Sequence, residues 1–201
     1  SQRTFQRACV KSRRYYDNNS TAEVFYSEKK VRRAVQLFRN PMDNIVARFH
    51  LSLRHRKDME IDNNSSGFQT WCKRLDKRYV LYESHTPWLD SSLLDLWKDV
   101  PCHAEFFKYI QWHNLAWTTT QNLGIPSHVL RYEDYAEDWR KTVDSLLEFL
   151  HLPGVAWEDA SFFSMRSYHD YYSPEQKDAI QRLMYNVASV PVWNIVRKYF
   201  E

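Results

Sequence analysis

The chain has 201 residues and a mass of 24.4 kDa, of which 43% are hydrophobic and 26% charged; this is enough apolar content for a packed core and too much for a disordered tail. Net charge is only +3, but the first forty residues carry ten Lys/Arg against three acids, leaving 18 against 22 for the remainder. An anionic ligand or surface near the N-terminal third, or simply a solvated basic face, fits this asymmetry. Nucleic acid is not expected as a partner, because the aromatic residues fall at core spacings rather than among the basic ones. No apolar run approaches the ~18 residues of a membrane span, and SQRTFQRACVKSRR lacks the apolar stretch of a signal peptide. A single domain over residues 1–201 is expected.

In chain order, ACVKS at 8–12 reads as a short strand and AVQLF at 34–38 as a short buried strand. A helix follows the second at once. Asn40 is an N-cap, Pro41 suits the first helical position, and Asp43 places a negative charge in the first turn. Ile45, Val46, Phe49 and Leu53 draw one apolar stripe on a helix from about 41 to 56. Arg39 therefore falls at a strand's carboxyl end beside a helix N-terminus, the edge where open α/β sheets bind ligands and where helices attract anions. It serves there either as an anion ligand or as the partner of a nearby carboxylate.

Further along, helices are expected over much of 68–83 and from Pro101 to Gly124, a buried strand over 128–134, and a helix bearing Trp139, Val143, Leu146, Leu147 and Leu150 on one face. Ser173-Pro174-Glu175-Gln176 is a capping box that opens a helix with the stripe Ile180, Leu183, Met184 and Val187. Strands separated by helices favour a parallel sheet covered on both faces. Of three cysteines, Cys72 and Cys102 either pair across a loop in an oxidising compartment or stay as buried thiols, with Cys9 odd in the first case. NNST at 18–21 and NNSS at 63–66 each contain overlapping glycosylation sequons, or are plain polar loops. No metal site is expected, since no Cys or His spacing suits one. His103 and His113 read as packed or surface residues of an aromatic-rich helix.

FRNPMDNIVARFH, VLRYEDYAEDWRKTVDSLLEFLHLP and CVKSRRYY, in their order, resemble the sulfotransferases that use 3′-phosphoadenosine 5′-phosphosulfate. The first is similar to that family's Arg-Asn-Pro-x-Asp-x-x-x-Ser motif for the 3′-phosphate, the second to its Tyr-Glu-Asp strand and helix, the third to its Lys-Thr-His strand. PCHAEFFKYIQWHNLAW resembles the more divergent, usually luminal sulfotransferases common in algae, so Golgi or another secretory lumen is favoured, with an organellar or cytosolic setting open.

The resemblance implies an α/β fold with a P-loop-NTPase-like parallel sheet flanked by helices. It implies 3′-phosphoadenosine 5′-phosphosulfate as anionic donor, with Arg39 on its 3′-phosphate, Arg166 ahead of YYSPE as a second ligand, and Lys11 as the catalytic candidate. The acceptor is not readable. Departures accompany it. Ala47 stands where the family has a serine on the phosphate, and Arg13 where it has a basic histidine; arginine stays protonated and is no base. His85, in a loop, is the least badly placed substitute. None of Gly67, Gly124 and Gly154 is followed by Thr-Thr, so the family's first strand and Pro-Lys-x-Gly-Thr-Thr loop are expected to be missing from residues 1–201, with an exposed sheet edge that a partner segment would cover. Two functions follow: sulfuryl transfer to a hydroxyl or amine if an upstream segment completes the site, or a non-catalytic scaffold in a larger assembly.

Overall fold

The computed structural model describes residues 11–17, 20–25, 30–55, 60–85, 91–152 and 168–201. Its contacts divide the chain into two compact units, Ser1–Phe38 with His113–Phe162 and Arg39–Trp112 with Phe163–Glu201.

In the first unit, β1 (Lys11–Asp17) and β2 (Ser20–Phe25) form an antiparallel pair running from Lys11 opposite Phe25 to Asp17 opposite Ser20. The expectation of a short strand at 8–12 is corrected in extent and pairing; residues 8–10 lie outside the described residues. Only Asn18 and Asn19 separate the two strands, and a two-residue connection can join antiparallel strands only. The parallel pair is β3 (Ala34–Phe38) with β4 (Ser127–Arg131), in register from Ala34 opposite Ser127 to Phe38 opposite Arg131. The fold is thus α/β, dominated by helices, with the parallel sheet reduced to two strands among the described residues.

β3 alternates rather than being buried throughout: Gln36 and Phe38 point inward, while Val35 and Leu37 are 40% and 52% exposed. Buried Gln36 donates from Nε2 to Thr120 Oγ1 at 3.1 Å, and that hydroxyl donates in turn to the carbonyls of Ala116 and Trp117. Phe38 stacks on the buried His113 ring at 4.0 Å. β4 stops at Arg131, three residues earlier than expected, because Tyr132 and Glu133 turn into the short helix α5 (Asp134–Glu137), with Glu133 already helical as its N-cap. Asp138 then caps α6 (Trp139–Leu150) by accepting from Lys141 N at 3.0 Å. α6 closes at His151 in the left-handed conformation, φ 56°, a position usually given to glycine.

In the second unit, α1 (Pro41–His55) buries Ile45, Val46 and Phe49. α2 (Ser65–His85) starts with Asn64, whose Oδ1 accepts from Gly67 N at 2.9 Å. Gly67 is obligatory: a Cβ there would lie 1.8 Å from the Asp62 carbonyl oxygen. After α3 (Ser91–Trp97) comes α4 (His103–Asn122), the long aromatic-rich helix, whose residues up to Trp112 belong to this unit and whose remainder belongs to the first. Cys72 of α2 and Cys102, just ahead of α4, are disulfide-bonded with Cα atoms 4.4 Å apart, which decides the alternative left open by spacing. α7 (Pro174–Val187) begins with the expected capping box and buries Ile180, Leu183 and Met184; α8 (Val190–Val196) follows. No described helix is long and apolar enough to cross a membrane.

Candidate functional site

Asn40 builds the corner. Its side chain accepts from Met42 N at 3.0 Å and Asp43 N at 3.4 Å, its carbonyl accepts from Asn44 N at 2.9 Å, and Pro41 has no N–H to offer. The first-turn donors of α1 are therefore satisfied within the turn. What the helix contributes outward is its dipole rather than a row of open N–H groups. Immediately before this turn stands Arg39, partly buried, its carbonyl held by the Tyr109 hydroxyl of α4 at 2.8 Å. Backbone direction at the corner is thus fixed from both sides.

Around the same turn, Tyr168 N donates to Asp43 Oδ1 at 3.3 Å and the buried Tyr172 hydroxyl donates to the Met42 carbonyl at 3.3 Å. Burial, with the Asp43 carboxylate beside it, raises the Tyr172 pKa well above the ordinary phenol value, so the hydroxyl keeps its proton. Tyr171 reaches His50 Nε2 at 3.4 Å through its hydroxyl, and the rings of Tyr168, Tyr171 and His50 pack on one another. The stretch Tyr168–Tyr172 is thereby anchored along α1 from Met42 to His50.

Arg166 lies outside the described residues, two positions ahead of this anchored stretch. Lys11 opens β1 opposite Phe25, in the hairpin rather than in the β3–β4 sheet; its side chain lies outside the described residues. Ala47, on α1, carries no hydroxyl, and its neighbour Arg48 pairs at 2.6 Å with Glu105, which is 2% exposed and also holds Lys108 at 3.1 Å. Sequence reading missed Asp43, Tyr109 and Glu105 in these roles. Asp43 was legible only as a helix-dipole charge, and the other two act across 57 to 70 residues of chain with no local signal.

His113 and His103 behave as packed groups. His113 is buried, and desolvation pushes its pKa down to about 4. His103 stacks on Trp97 at 5.0 Å, with Nδ1 3.4 Å from Asp76; burial lowers its pKa. Asp76 accepts from Ala104 N at 3.1 Å, capping α4, and burial pushes its carboxyl up to about 6 against the opposing backbone donors. His85 ends α2 with its side chain outside the described residues. The described residues hold no group of three or more His, Cys, Asp or Glu arranged to bind a metal.

A parallel strand pair delivering an arginine to its carboxyl end, directly before a capped helix, defines an α/β protein with a strand-to-helix corner. A family model described as "Sulfotransferase domain" matches residues 23–183, and the chain belongs to that family. The matched span contains Arg39, Ala47, the Tyr132-Glu133-Asp134 turn and Arg166, and begins beyond Lys11 and Arg13. No curated protein and no solved structure matches the chain.

Proposed function

We propose that this protein binds 3′-phosphoadenosine 5′-phosphosulfate with the 3′-phosphate held at Arg39 and, if an upstream segment completes the site, moves its sulfuryl group to a hydroxyl or amine. The observation that carries this reading is the fixed corner, in which Tyr109 holds the Arg39 carbonyl while Asn40 satisfies the next turn. A guanidinium presented this way forms charge-assisted, bidentate bonds to a phosphate without first paying to order its backbone. The positive end of α1 adds favourable potential. Arg166, ahead of YYSPE, is a second phosphate ligand in this reading, as the family resemblance implies. Donor binding falls within the P-loop-like architecture that the family implies. Lys11 remains the candidate cation for catalysis.

Ala47 favours a second reading, a non-catalytic relative that retains nucleotide as part of an assembly. It removes one hydroxyl donor from the phosphate position, a loss of about 1.5–3 kcal/mol for a bond to a charged group. Labelled donor offered to the purified protein with a mixed panel of hydroxyl and amine acceptors separates the two. Label appearing in an acceptor supports transfer, nucleotide retention without transfer supports the scaffold, and failure to bind nucleotide counts against both.

A further inference from the structure

NNSS at 63–66 reads either as glycosylation sequons or as a polar loop, and the surroundings of its two asparagines distinguish the two. Asn63 and Asn64 are both exposed at the start of α2. Asn64 caps that helix: its Oδ1 accepts from Gly67 N at 2.9 Å and its carbonyl from Phe68 N at 2.9 Å. A backbone N–H only donates, so the amide of Asn64 has one possible orientation, with oxygen toward the helix and Nδ2 outward. Asn63 instead faces His50 Nδ1 at 2.8 Å, and an imidazole nitrogen accepts or donates according to tautomer, so either end of the Asn63 amide satisfies it. The second observation is the staple eight residues on. Cys72 is bonded to Cys102, and a disulfide of this kind belongs to an oxidising compartment, the setting in which Asn-x-Ser sequons are used.

We infer that Asn64 carries an N-linked glycan, compatible with its cap because sugar attaches at Nδ2 while the helix uses Oδ1. In the transfer, Asn64 Nδ2 forms a bond to the anomeric carbon of a lipid-pyrophosphate-linked oligosaccharide. The bond from that carbon to phosphate oxygen breaks, the pyrophosphate leaves on the lipid, and the amide gives up one proton. Adjacent asparagines leave room for one glycan, so Asn63 stays unmodified.

The overlapping sequons allow a test that leaves both asparagines in place. Ser66→Ala removes the sequon of Asn64 and keeps that of Asn63; Ser65→Ala does the reverse. The full chain is made through a eukaryotic secretory pathway and treated with a peptide-N-glycosidase in heavy-oxygen water. The tryptic peptide 58–73, reduced and alkylated, is then sequenced by mass spectrometry. Wild type and Ser65→Ala should show heavy-oxygen aspartate at position 64, and Ser66→Ala should not. Label at position 63 in wild type, or an unmodified peptide from protein in which Cys72 and Cys102 are oxidised, overturns the assignment.

Discussion

Partly buried Asp76 and buried His113 pull stability in opposite directions as pH changes. His113 titrates near 4 when folded and at about 6.5 when unfolded, so the native state holds fewer protons between those values and loses on the order of 3 kcal/mol as pH falls through them. Asp76 titrates near 6 when folded, above its ordinary 3.8, so the native state holds more protons and gains on the order of 3 kcal/mol over nearly the same window. His103, also lowered by burial, adds to the His113 side. Wild type should therefore show only a shallow fall in unfolding free energy from pH 6.5 to 4, measured by urea titration. Asp76→Asn, which keeps an oxygen for Ala104 N, should fall steeply in that range, and His113→Phe, which keeps the stack on Phe38, should rise. Parallel profiles for all three would contradict the assignment. Ala47→Ser belongs to the same scale: restoring a hydroxyl at the phosphate position should tighten adenosine 3′,5′-bisphosphate by about tenfold, read by calorimetry, if the corner holds that phosphate.

At the scale of elements, a staple and a cap meet at one place. Cys72 binds Cys102 directly ahead of α4, and Asp76, one turn further along α2, caps the same helix. Closing a loop of 30 residues constrains the unfolded chain by about 3–4 kcal/mol, so the double variant Cys72→Ala/Cys102→Ala should lose that much in chemical denaturation, and reductant should not alter it further. Gly67→Ala should also be severe, because its methyl meets the Asp62 carbonyl rather than a side chain that can move away. Local signals made many of these elements legible: Asn40-Pro41 and Ser173-Pro174-Glu175-Gln176 mark helix starts through hydrogen bonds made within four residues. The errors came where strand alternation and strand pairing, rather than a cap, decide the structure. AVQLF reads as buried although Val35 and Leu37 face outward, and the strand at Lys11 found its partner in Ser20–Phe25 because a two-residue link allowed no crossover.

For the whole molecule, the family assignment rests on a match over residues 23–183, and the corner at Arg39 is the part of it whose geometry is now explicit. Arg39 was legible because strand end, N-cap and proline are adjacent in sequence; Tyr109 was not, because it holds the corner from 70 residues away. Tyr109→Phe should consequently weaken nucleotide binding through the position of Arg39, by less than loss of Arg39 itself and without abolishing the fold. The decisive measurement is calorimetric titration of adenosine 3′,5′-bisphosphate into wild type and Arg39→Ala, with circular dichroism to verify that both are folded. Losing bonds to a charged group should weaken the variant by about 1.5–3 kcal/mol or more, roughly ten- to two-hundredfold. Equal affinity in the two folded proteins, or no binding by wild type, would contradict the placement of the nucleotide at this corner.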